Sequence, residues 1–513
     1  MTQTVVIGLD GGCWPLVEQW IDDGHLPTLK QLREEGAWGI SESYRPPVTC
    51  PNWKCYATGK NPGKLGVYWW ERIDTETRSM TLPDATDFKS PELWDYLNDA
   101  DRGAGVINLP MSYPPRAIDD FVIAGGPRSR ETGYTAPEEL ESELQDRFGY
   151  RVHPENVLTT NEDAEAEVEM VYDLLRTRLR TAKTMLAERD IEFLHLTLFH
   201  LNVLQHYFWD GIETRRAWEL IDDALREFVD GDFNLVLVSD HGCTEIDTVF
   251  YINSWLESQG YLTTTSSLSG RLYDIGLTQE RVAALVRRIG LERYLRPLIP
   301  RQVIERFPTS DGVVREEKLS MIDWENTSAI ASGQGLVYVV ADDPSERATV
   351  RSALIDDLEA ATGANGSPIA DAVYRREELY DGPYVDQAPD IVVDQRPGVH
   401  ISEAMGQDEA VTSPSDWRAE NVPDGMVVCH GDDIRPQSLG RCRISDVAPT
   451  LLHWLGLAVP NDMDGTVLSE AFDPESEPGQ RAVEYREPLP ERGNDRGLTQ
   501  TVENRLEQIG YLE

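Results

Sequence analysis

The sequence predicts an α/β fold: a large, mostly parallel sheet flanked by helices on both faces, with inserted cap lobes. Short apolar runs alternate along the chain with amphipathic stretches of helical period. Two β-branched runs, at 4–9 and 235–239, are each followed directly by an aspartate. That pattern is typical of a buried parallel strand that presents a ligand at its carboxyl end.

The individual strands and helices are predicted from the short apolar runs and from the amphipathic stretches of helical period. Strands are expected at 4–9, 103–108, 120–124, 192–199, 234–239, 335–340, 390–393 and 425–429. Helices are expected at 14–22, 26–35, 50–59, 137–148, 161–188, 213–229, 279–289, 346–361 and 445–456. The stretch 161–188 is rich in Ala, Glu, Leu and Arg, which favours a long surface helix.

A chain of 513 residues is long for one core, so we expect a large domain with insertions. The catalytic core is expected in 1–255 and 326–470, with 68–130 as an inserted lobe. The segment 256–325 has short amphipathic pieces between prolines and is expected to form a cap insertion. The remainder, 471–513, is an acidic, proline-rich tail whose amphipathic end is a candidate for docking on the body.

The charge of the chain is strongly acidic. Lys and Arg number 47 and Asp and Glu 90, a net charge of −43. An acidic, lysine-poor surface favours a halophilic protein, because concentrated salt screens self-repulsion; an acidic mesophilic protein is the alternative. This charge disfavours a nucleic-acid-binding surface, and an anionic substrate would need a metal to offset it.

The cysteine content and the hydropathy of the chain are used to predict its cellular compartment. The six cysteines include no CxxC pair and are too few for a disulfide framework in so long a chain. The first predicted strand starts close to residue 1, which leaves no room for a signal peptide. No apolar run approaches membrane-spanning length. We therefore expect a cytoplasmic protein, whose oligomeric state the sequence does not indicate.

Four residues in three distant segments carry the chemistry. Asp10 ends TVVIGLDGG (4–12), Thr49 lies in PPVTCPNW (46–53), and Asp240 and His241 end LVLVSDHG (235–242). Two aspartates, a histidine and a threonine suit a divalent cation with an activated hydroxyl. The alternatives are helix N-caps for Asp10 and Thr49, and a structural Asp-His pair.

Two neighbours of Thr49 are further candidates. Asn52 could donate a hydrogen bond to a phosphoryl oxyanion held at the start of the helix. Cys50 is an alternative nucleophile, although only Lys54 nearby would favour its thiolate.

These segments resemble the alkaline-phosphatase superfamily, in particular its type I phosphodiesterase/nucleotide pyrophosphatase branch. The resemblance extends over roughly residues 1–470. Supporting stretches are ATGKNPGK (57–64), YINSWL (251–256), APDIVV (388–393), DVAPTL (446–451) and MDG (463–465).

The resemblance implies two metal sites. The metal beside the nucleophile would be bound by Asp10, Thr49, Asp240 and His241. The second metal usually takes an Asp and a His four residues apart and a later His. The matching positions are Asn202, His206 and Asn421, so only His206 agrees. Other residues that could supply ligands by type are His200, Asp210, His400 and His430. His430 ends a predicted strand and could face the same edge of the sheet, but a hydrogen-bonded strand-end residue is the favoured interpretation.

The resemblance therefore implies a metal-dependent hydrolase of phosphate esters, with phosphodiester or pyrophosphate substrates favoured. Thr49 would be the nucleophile, a phospho-threonine the intermediate, and Zn²⁺ or Mn²⁺ the metal. Because neutral asparagines make a poor cage for a divalent ion, alternatives stay open. They are a one-metal or catalytically degenerate binding or regulatory protein, and a phospho- or sulfo-transfer enzyme on an unusual substrate.

Overall fold

The computed structural model describes residues 2–154, 158, 164–265 and 319–492. Its strands, in chain order, are β1 Gln3–Gly8, β2 Ala37–Glu42, β3 Arg72–Asp74, β4 Ser79–Thr81, β5 Ala104–Pro110, β6 Asp120–Gly125, β7 Thr135–Ala136, β8 Phe193–Thr197, β9 Phe233–Val238, β10 Gly242–Glu245, β11 Thr248–Tyr251, β12 Ala329–Ser332, β13 Leu336–Val339, β14 Ala370–Arg375, β15 Ile391–Gln395, β16 Val399–Ser402, β17 Val411–Thr412, β18 Ala419–Val422, β19 Val427–His430, β20 Gln437–Arg443, β21 Val459–Pro460 and β22 Tyr485–Arg486.

The helices of the described residues are labelled in the same way. They are α1 Trp14–Asp22, α2 Pro27–Glu35, α3 Thr49–Thr58, α4 Pro62–Leu65, α5 Leu93–Asp99, α6 Glu139–Phe148, α7 Ala164–Glu188, α8 His200–Phe208, α9 Ile212–Val229, α10 Ile252–Ser258, α11 Pro344–Glu359, α12 Arg376–Leu379, α13 Val447–Trp454 and α14 Glu477–Gln480. None of them is long and apolar enough to cross a membrane.

The centre of the fold is a nine-stranded sheet in the order β20-β2-β19-β9-β1-β8-β5-β6-β7. Strands β9, β1, β8, β5 and β6 are parallel neighbours. Only β19 and β7 run antiparallel to the strands beside them. The prediction of a large, mostly parallel sheet is confirmed.

Helices cover both faces of this sheet, because each central strand is apolar on both sides. Along β1, Val5 and Ile7 belong to the cluster that packs against α1, α2, α7 and α9. Val6, pointing the other way, belongs to the cluster that includes α3, α5 and α13. The alternation of faces along one strand thus places α3 on the opposite side of the sheet from α1.

Strands β13 and β15 are found where they were predicted, but they lie outside the central sheet. They belong to a four-stranded sheet in the order β12-β13-β15-β14, whose neighbours are antiparallel. Its core includes Val337, Ile391 and Val392.

Each predicted strand overlaps an observed one, and each predicted helix in the described residues overlaps an observed helix. The helix predicted at 279–289 and the amphipathic end at 502–512 lie outside the described residues. Strands β5 and β6 fall inside the segment predicted as an inserted lobe, 68–130, yet they are strands of the central sheet. The division into core, cap and tail otherwise stays a prediction.

Candidate active site

Two neighbouring parallel strands bring the aspartates together. Gly8 of β1 is in register with Val238 of β9, and the amide of Leu9 donates to the carbonyl of Val238 at 2.8 Å. Asp10 and Asp240 each follow two residues after these paired positions, at the carboxyl edge of the sheet. Their proximity is a direct consequence of the parallel register.

Thr49 reaches the same edge from α3. It is the first residue of this helix, and the preceding Val48 is the N-cap and makes no side-chain cap. Its Oγ1 lies 3.4 Å from Asp10 Oδ1 and 3.2 Å from His241 Nε2. Asp10 does not cap a helix either, because the N-cap of α1 is Cys13. The two capping alternatives therefore do not describe these side chains.

The side chains of Asp10, Asp240 and His241 turn potential metal-ligand atoms toward one another beside Thr49. His241 Nδ1 donates to the carbonyl of Gly242 at 2.8 Å, which turns Nε2 toward Asp240 Oδ2 at 3.2 Å and Asp10 Oδ1 at 3.8 Å. Asp240 Oδ2 is buried and has no hydrogen-bond partner in the described residues. Two carboxylates and an imidazole nitrogen whose ligand atoms converge in a buried site suit a divalent cation.

This cluster stands out among the described residues. Asp10, Asp240 and His241 are the one group there of three or more carboxylate, imidazole or thiol side chains with ligand atoms close together, all within 4.8 Å. All three are completely buried, whereas Thr49 is 4% exposed. Thr49 is therefore the least buried residue of the four.

Burial and neighbouring charges shift the pKa values of Asp10 and His241. Burial, reinforced by Asp240, raises the pKa of Asp10 well above its usual range. Burial lowers the pKa of His241, but Asp240 and Asp10 outweigh it and raise that pKa to about 9. Both shifts reflect negative groups crowded in a dry site.

Two residues that the sequence did not single out support the ligands. Trp53, one turn after Thr49 on α3, donates its indole N–H to Asp10 Oδ2 at 2.9 Å. Gly11 donates its amide to Asp240 Oδ1 at 3.3 Å and has φ +69°. The spacing of four between Thr49 and Trp53 is the only sequence signal for the indole, because it places both on one helix face.

The Asn52 side chain is hydrogen-bonded to the backbone of the loop before α3. Its Nδ2 donates to the carbonyls of Tyr44, Pro46 and Val48, and its Oδ1 accepts from the Tyr44 amide. Both amide hydrogens are thus used to brace the 44–48 loop that leads into α3. We leave Asn52 out of the reacting set, and its donation to an oxyanion stays a prediction.

Cys50 is unsuited to be the nucleophile. Its thiol is fully buried, and burial raises its pKa far above the ordinary value. Lys54, which would have favoured a thiolate, is paired with Glu92 at 2.6 Å.

The second predicted set is also brought together. Asn202 and His206 lie one turn apart on α8, and Asn421 is on β18. Asn202 Nδ2 lies 3.1 Å from His206 Nε2 and 3.2 Å from Asn421 Oδ1. Gln205, which the sequence did not single out, joins them through Asn202 Oδ1 at 3.2 Å. Its position three residues after Asn202 on the same helix was the available signal.

The other histidine and aspartate candidates lie elsewhere. His430 ends β19, as the favoured interpretation had it, and cannot supply a ligand, because β19 runs antiparallel to β9 and pairs His430 with Leu235, at the opposite edge of the sheet from Asp240. His400 pairs with Glu420, and Asp210 is exposed. His200 is buried, and burial holds its pKa well below the usual range.

The fold and this pocket define an α/β protein with a candidate cation site beside a buried hydroxyl. Residues 4–421 match the family model of type I phosphodiesterase / nucleotide pyrophosphatase. The chain therefore belongs to that family, which confirms the prediction of a phosphodiesterase/nucleotide pyrophosphatase-like hydrolase.

Solved structures confirm the predicted fold. The chain is similar to phosphonoacetate hydrolase from Sinorhizobium meliloti 1021 in complex with phosphonoacetate, with a TM-score of 0.53, 16% identity, and 87% of this chain and 94% of that chain covered. It is also similar to the alkaline phosphatase PafA, with a TM-score of 0.54, 14% identity, and 92% and 98% covered. No curated protein sequence matches the chain.

Proposed function

We propose that the protein is a metal-dependent hydrolase of phosphate esters, phosphodiesters or pyrophosphates in particular, with Thr49 as nucleophile. The observation that carries the proposal is the buried cluster of Asp10, Asp240 and His241 with the Thr49 hydroxyl 3.4 Å from Asp10 Oδ1 and 3.2 Å from His241 Nε2. A divalent cation, Zn²⁺ or Mn²⁺ by the oxygen-rich donor set, would lower the pKa of the hydroxyl and offset the charge of an anionic substrate.

The chain's own residues then define the first step. The Thr49 Oγ1 lies 3.4 Å from Asp10 Oδ1 and 3.2 Å from His241 Nε2, and its hydroxyl proton is released as it attacks. Oγ1 forms a bond to phosphorus while the bond to the leaving oxygen breaks, and that oxygen departs with the electron pair and takes up the released proton. The product is a phospho-threonine ester, which keeps the second ester group of a diester substrate.

The second step restores the enzyme. Water attacks phosphorus, the bond to Oγ1 breaks, and the proton released by water returns to Thr49. The N-terminal end of α3, where Thr49 lies, presents the positive end of the helix dipole to the phosphoryl oxygens in both steps. Trp53 holds Asp10 in place from one turn further along the helix.

The test is turnover of a chromogenic phosphodiester at high salt with Zn²⁺ or Mn²⁺, compared between the native chain and Thr49→Ala. We expect Thr49→Ala to lose at least about 1,000-fold in kcat, because no other hydroxyl can form the intermediate. Thr58→Ala is the matched control: Thr58 ends the same helix, is also buried, and donates to the Lys54 carbonyl at 2.7 Å. We expect it to keep the native rate.

Rapid quenching and mass spectrometry provide a second readout, which should locate the phosphoryl adduct on Thr49. If the native chain binds cation yet turns over monoesters, diesters and sulfate esters no faster than Thr49→Ala, hydrolysis is refuted. A binding or regulatory protein, the alternative suggested by the neutral side chains Asn202 and Asn421, would then be favoured.

A further inference from the structure

The place that the family resemblance assigns to a second metal contains a hydrogen-bonded cluster of neutral side chains. Asn202 Nδ2 has two hydrogens, and its two partners are His206 Nε2 at 3.1 Å and Asn421 Oδ1 at 3.2 Å. Asn202 Oδ1 accepts from Gln205 Nε2 at 3.2 Å. Every polar atom of the Asn202 side chain is therefore used.

Gln205 closes the cluster on its other side. The second hydrogen of its Nε2 goes to the carbonyl of Gly11 at 3.0 Å, and its Oε1 accepts from Trp218 Nε1 at 3.4 Å. Both Asn202 and Gln205 are at most 3% exposed. A buried polar network whose donors and acceptors match in this way needs no ion to satisfy it.

His206 is fixed as an acceptor in the same cluster. Its Nδ1 lies 2.8 Å from the carbonyl of Ala419, which can only accept, so Nδ1 carries the hydrogen. Nε2 is left to accept from Asn202, and the ring stacks on Trp417 with 4.0 Å between centroids. Its one free electron pair for a metal is thus already engaged.

Glu420, the carboxylate next to Asn421 in the described part of the chain, does not replace the missing ligands. Its Oε1 accepts from Gln334 Nε2 at 2.7 Å and from the Asn421 amide at 2.8 Å. Its Oε2 pairs with His400 and accepts from Trp417 Nε1 at 3.2 Å. Both oxygens of Glu420 are therefore committed elsewhere.

We infer that the protein binds one divalent cation, at Asp10, Asp240 and His241, and that the amide cluster of Asn202, Gln205, His206 and Asn421 fills the place of a second. A cation entering this cluster would break its hydrogen bonds and gain no negative ligand in return. The donor set does not fit the second metal. This inference rests on the proposed function for the first site.

The single cation also narrows the substrate class. The carboxylates of Asp10 and Asp240 cancel the charge of one divalent ion, and the amide cluster adds none. The pocket therefore lacks the excess positive charge that the dianion of a phosphate monoester requires, whereas a phosphodiester carries one negative charge. A single cation is therefore expected to favour turnover of a diester over a monoester, in line with the proposed function.

The experiment counts bound metal. Purified protein is dialysed against Zn²⁺, and metal per chain is measured by mass spectrometry; Mn²⁺ loading with electron paramagnetic resonance reports whether two ions are coupled. We expect one Zn²⁺ per native chain and an uncoupled Mn²⁺ spectrum. The double variant Asn202→Asp/Asn421→His restores the usual metal ligands at these positions and should bind two Zn²⁺ per chain. The control variant Asn234→Asp, which adds a carboxylate at the start of β9, should still bind one Zn²⁺ per chain.

The possible outcomes separate the two proposals. Two ions on the native chain, or a coupled Mn²⁺ spectrum, overturn the inference and leave the proposed function intact. No bound ion refutes the proposed function itself. A folded double variant that still binds one ion overturns the assignment of the amide cluster to the second site. If the double variant does not fold, the native stoichiometry and spectrum decide.

Turnover supplies an independent readout of the substrate class. In the double variant, the ratio of monoester to diester turnover should rise at least about tenfold over the native ratio, because the second ion adds positive charge. An unchanged ratio in a variant that does bind two ions overturns the charge argument.

Discussion

The indole of Trp53 provides a sharp test of how α3 supports the cation site. Trp53→Phe keeps an aromatic ring in the core and removes the one N–H that reaches Asp10 Oδ2, at 2.9 Å in a fully buried position. A hydrogen bond to a charged group contributes about 1.5–3 kcal/mol. Because this bond favours the ionised form of Asp10, which binds a cation, we expect a loss of about 10- to 100-fold in cation affinity.

The measurement is isothermal titration of Mn²⁺ or Zn²⁺ into the metal-free protein, with thermal unfolding in parallel. Trp454→Phe is the matched control, since Trp454 is also buried and donates its indole N–H to a carboxylate, Asp433 Oδ2 at 3.0 Å, outside the site. The control should lose stability but keep the native cation affinity. Equal affinities for Trp53→Phe and the native chain would refute the reasoning.

Three further predictions concern stability. Gly11→Ala would place Cβ 2.2 Å from Asn202 Oδ1 at φ +69°, whereas Gly24→Ala, at φ +81°, meets nothing within 4 Å. Urea unfolding should show a loss of about 1 kcal/mol for Gly24→Ala and at least about 3 kcal/mol for Gly11→Ala; equal losses would contradict the close contact. Burial lowers the pKa of His195 from 6.5 to about 3, so unfolding takes up a proton between these values. The free energy of unfolding should therefore fall with decreasing pH in that window, by up to about 1.4 kcal/mol per pH unit from this group. His195→Gln should reduce this dependence on pH, and an unchanged dependence in the variant would contradict the prediction. With a net charge of −43, the melting temperature should rise between about 0.1 M and about 2 M KCl, and a fall would contradict the halophilic interpretation.

The strands that could be predicted are those whose residues are buried on both faces. β1 and β9 are continuous apolar runs, and burial on both faces is what such runs require. β2 and β20 were missed because their sequences, AWGISE and QSLGRCR, are partly polar and lie toward one edge of the sheet. Their pairing is set by neighbours distant in the chain, which no local pattern reports.

The direction in which each strand runs in the sheet could not be predicted from the sequence either. The sequence placed His430 correctly at the end of a strand, but strand ends meet at one edge only if the strands are parallel. Since β19 runs antiparallel to β9, its end lies opposite Leu235 instead of Asp240. Parallel order was inferred for β1 and β9 because an aspartate and then a glycine follow each. Gly431 and Asp432 follow β19 as well, in the reverse order, so this pattern does not report the direction of a strand.

The residues of the site were predictable from the family motifs, whereas their hydrogen bonds were not. Asn52 matched an oxyanion donor by type, yet its amide is used by the loop before α3. The same limit applies to Gln205, whose role depends on the carbonyl of Gly11 and the indole of Trp218. Residue types fix which chemistry is possible, and the partners of each atom decide which one is realised.

The Gly11 peptide separates two polar sites that are satisfied in opposite ways. Its amide donates to Asp240 in the site of Asp10, Asp240 and His241, and its carbonyl accepts from Gln205 in the amide cluster. Two buried carboxylates close together are costly in a folded protein, whereas the matched amides are not. In a chain that bound no cation, one N–H each from Trp53 and Gly11 would offset part of that cost, while Asp240 Oδ2 has no hydrogen-bond partner among the described residues. Cation binding at the first site is therefore expected even if the protein proves to be regulatory, and turnover by Thr49 alone decides between the two.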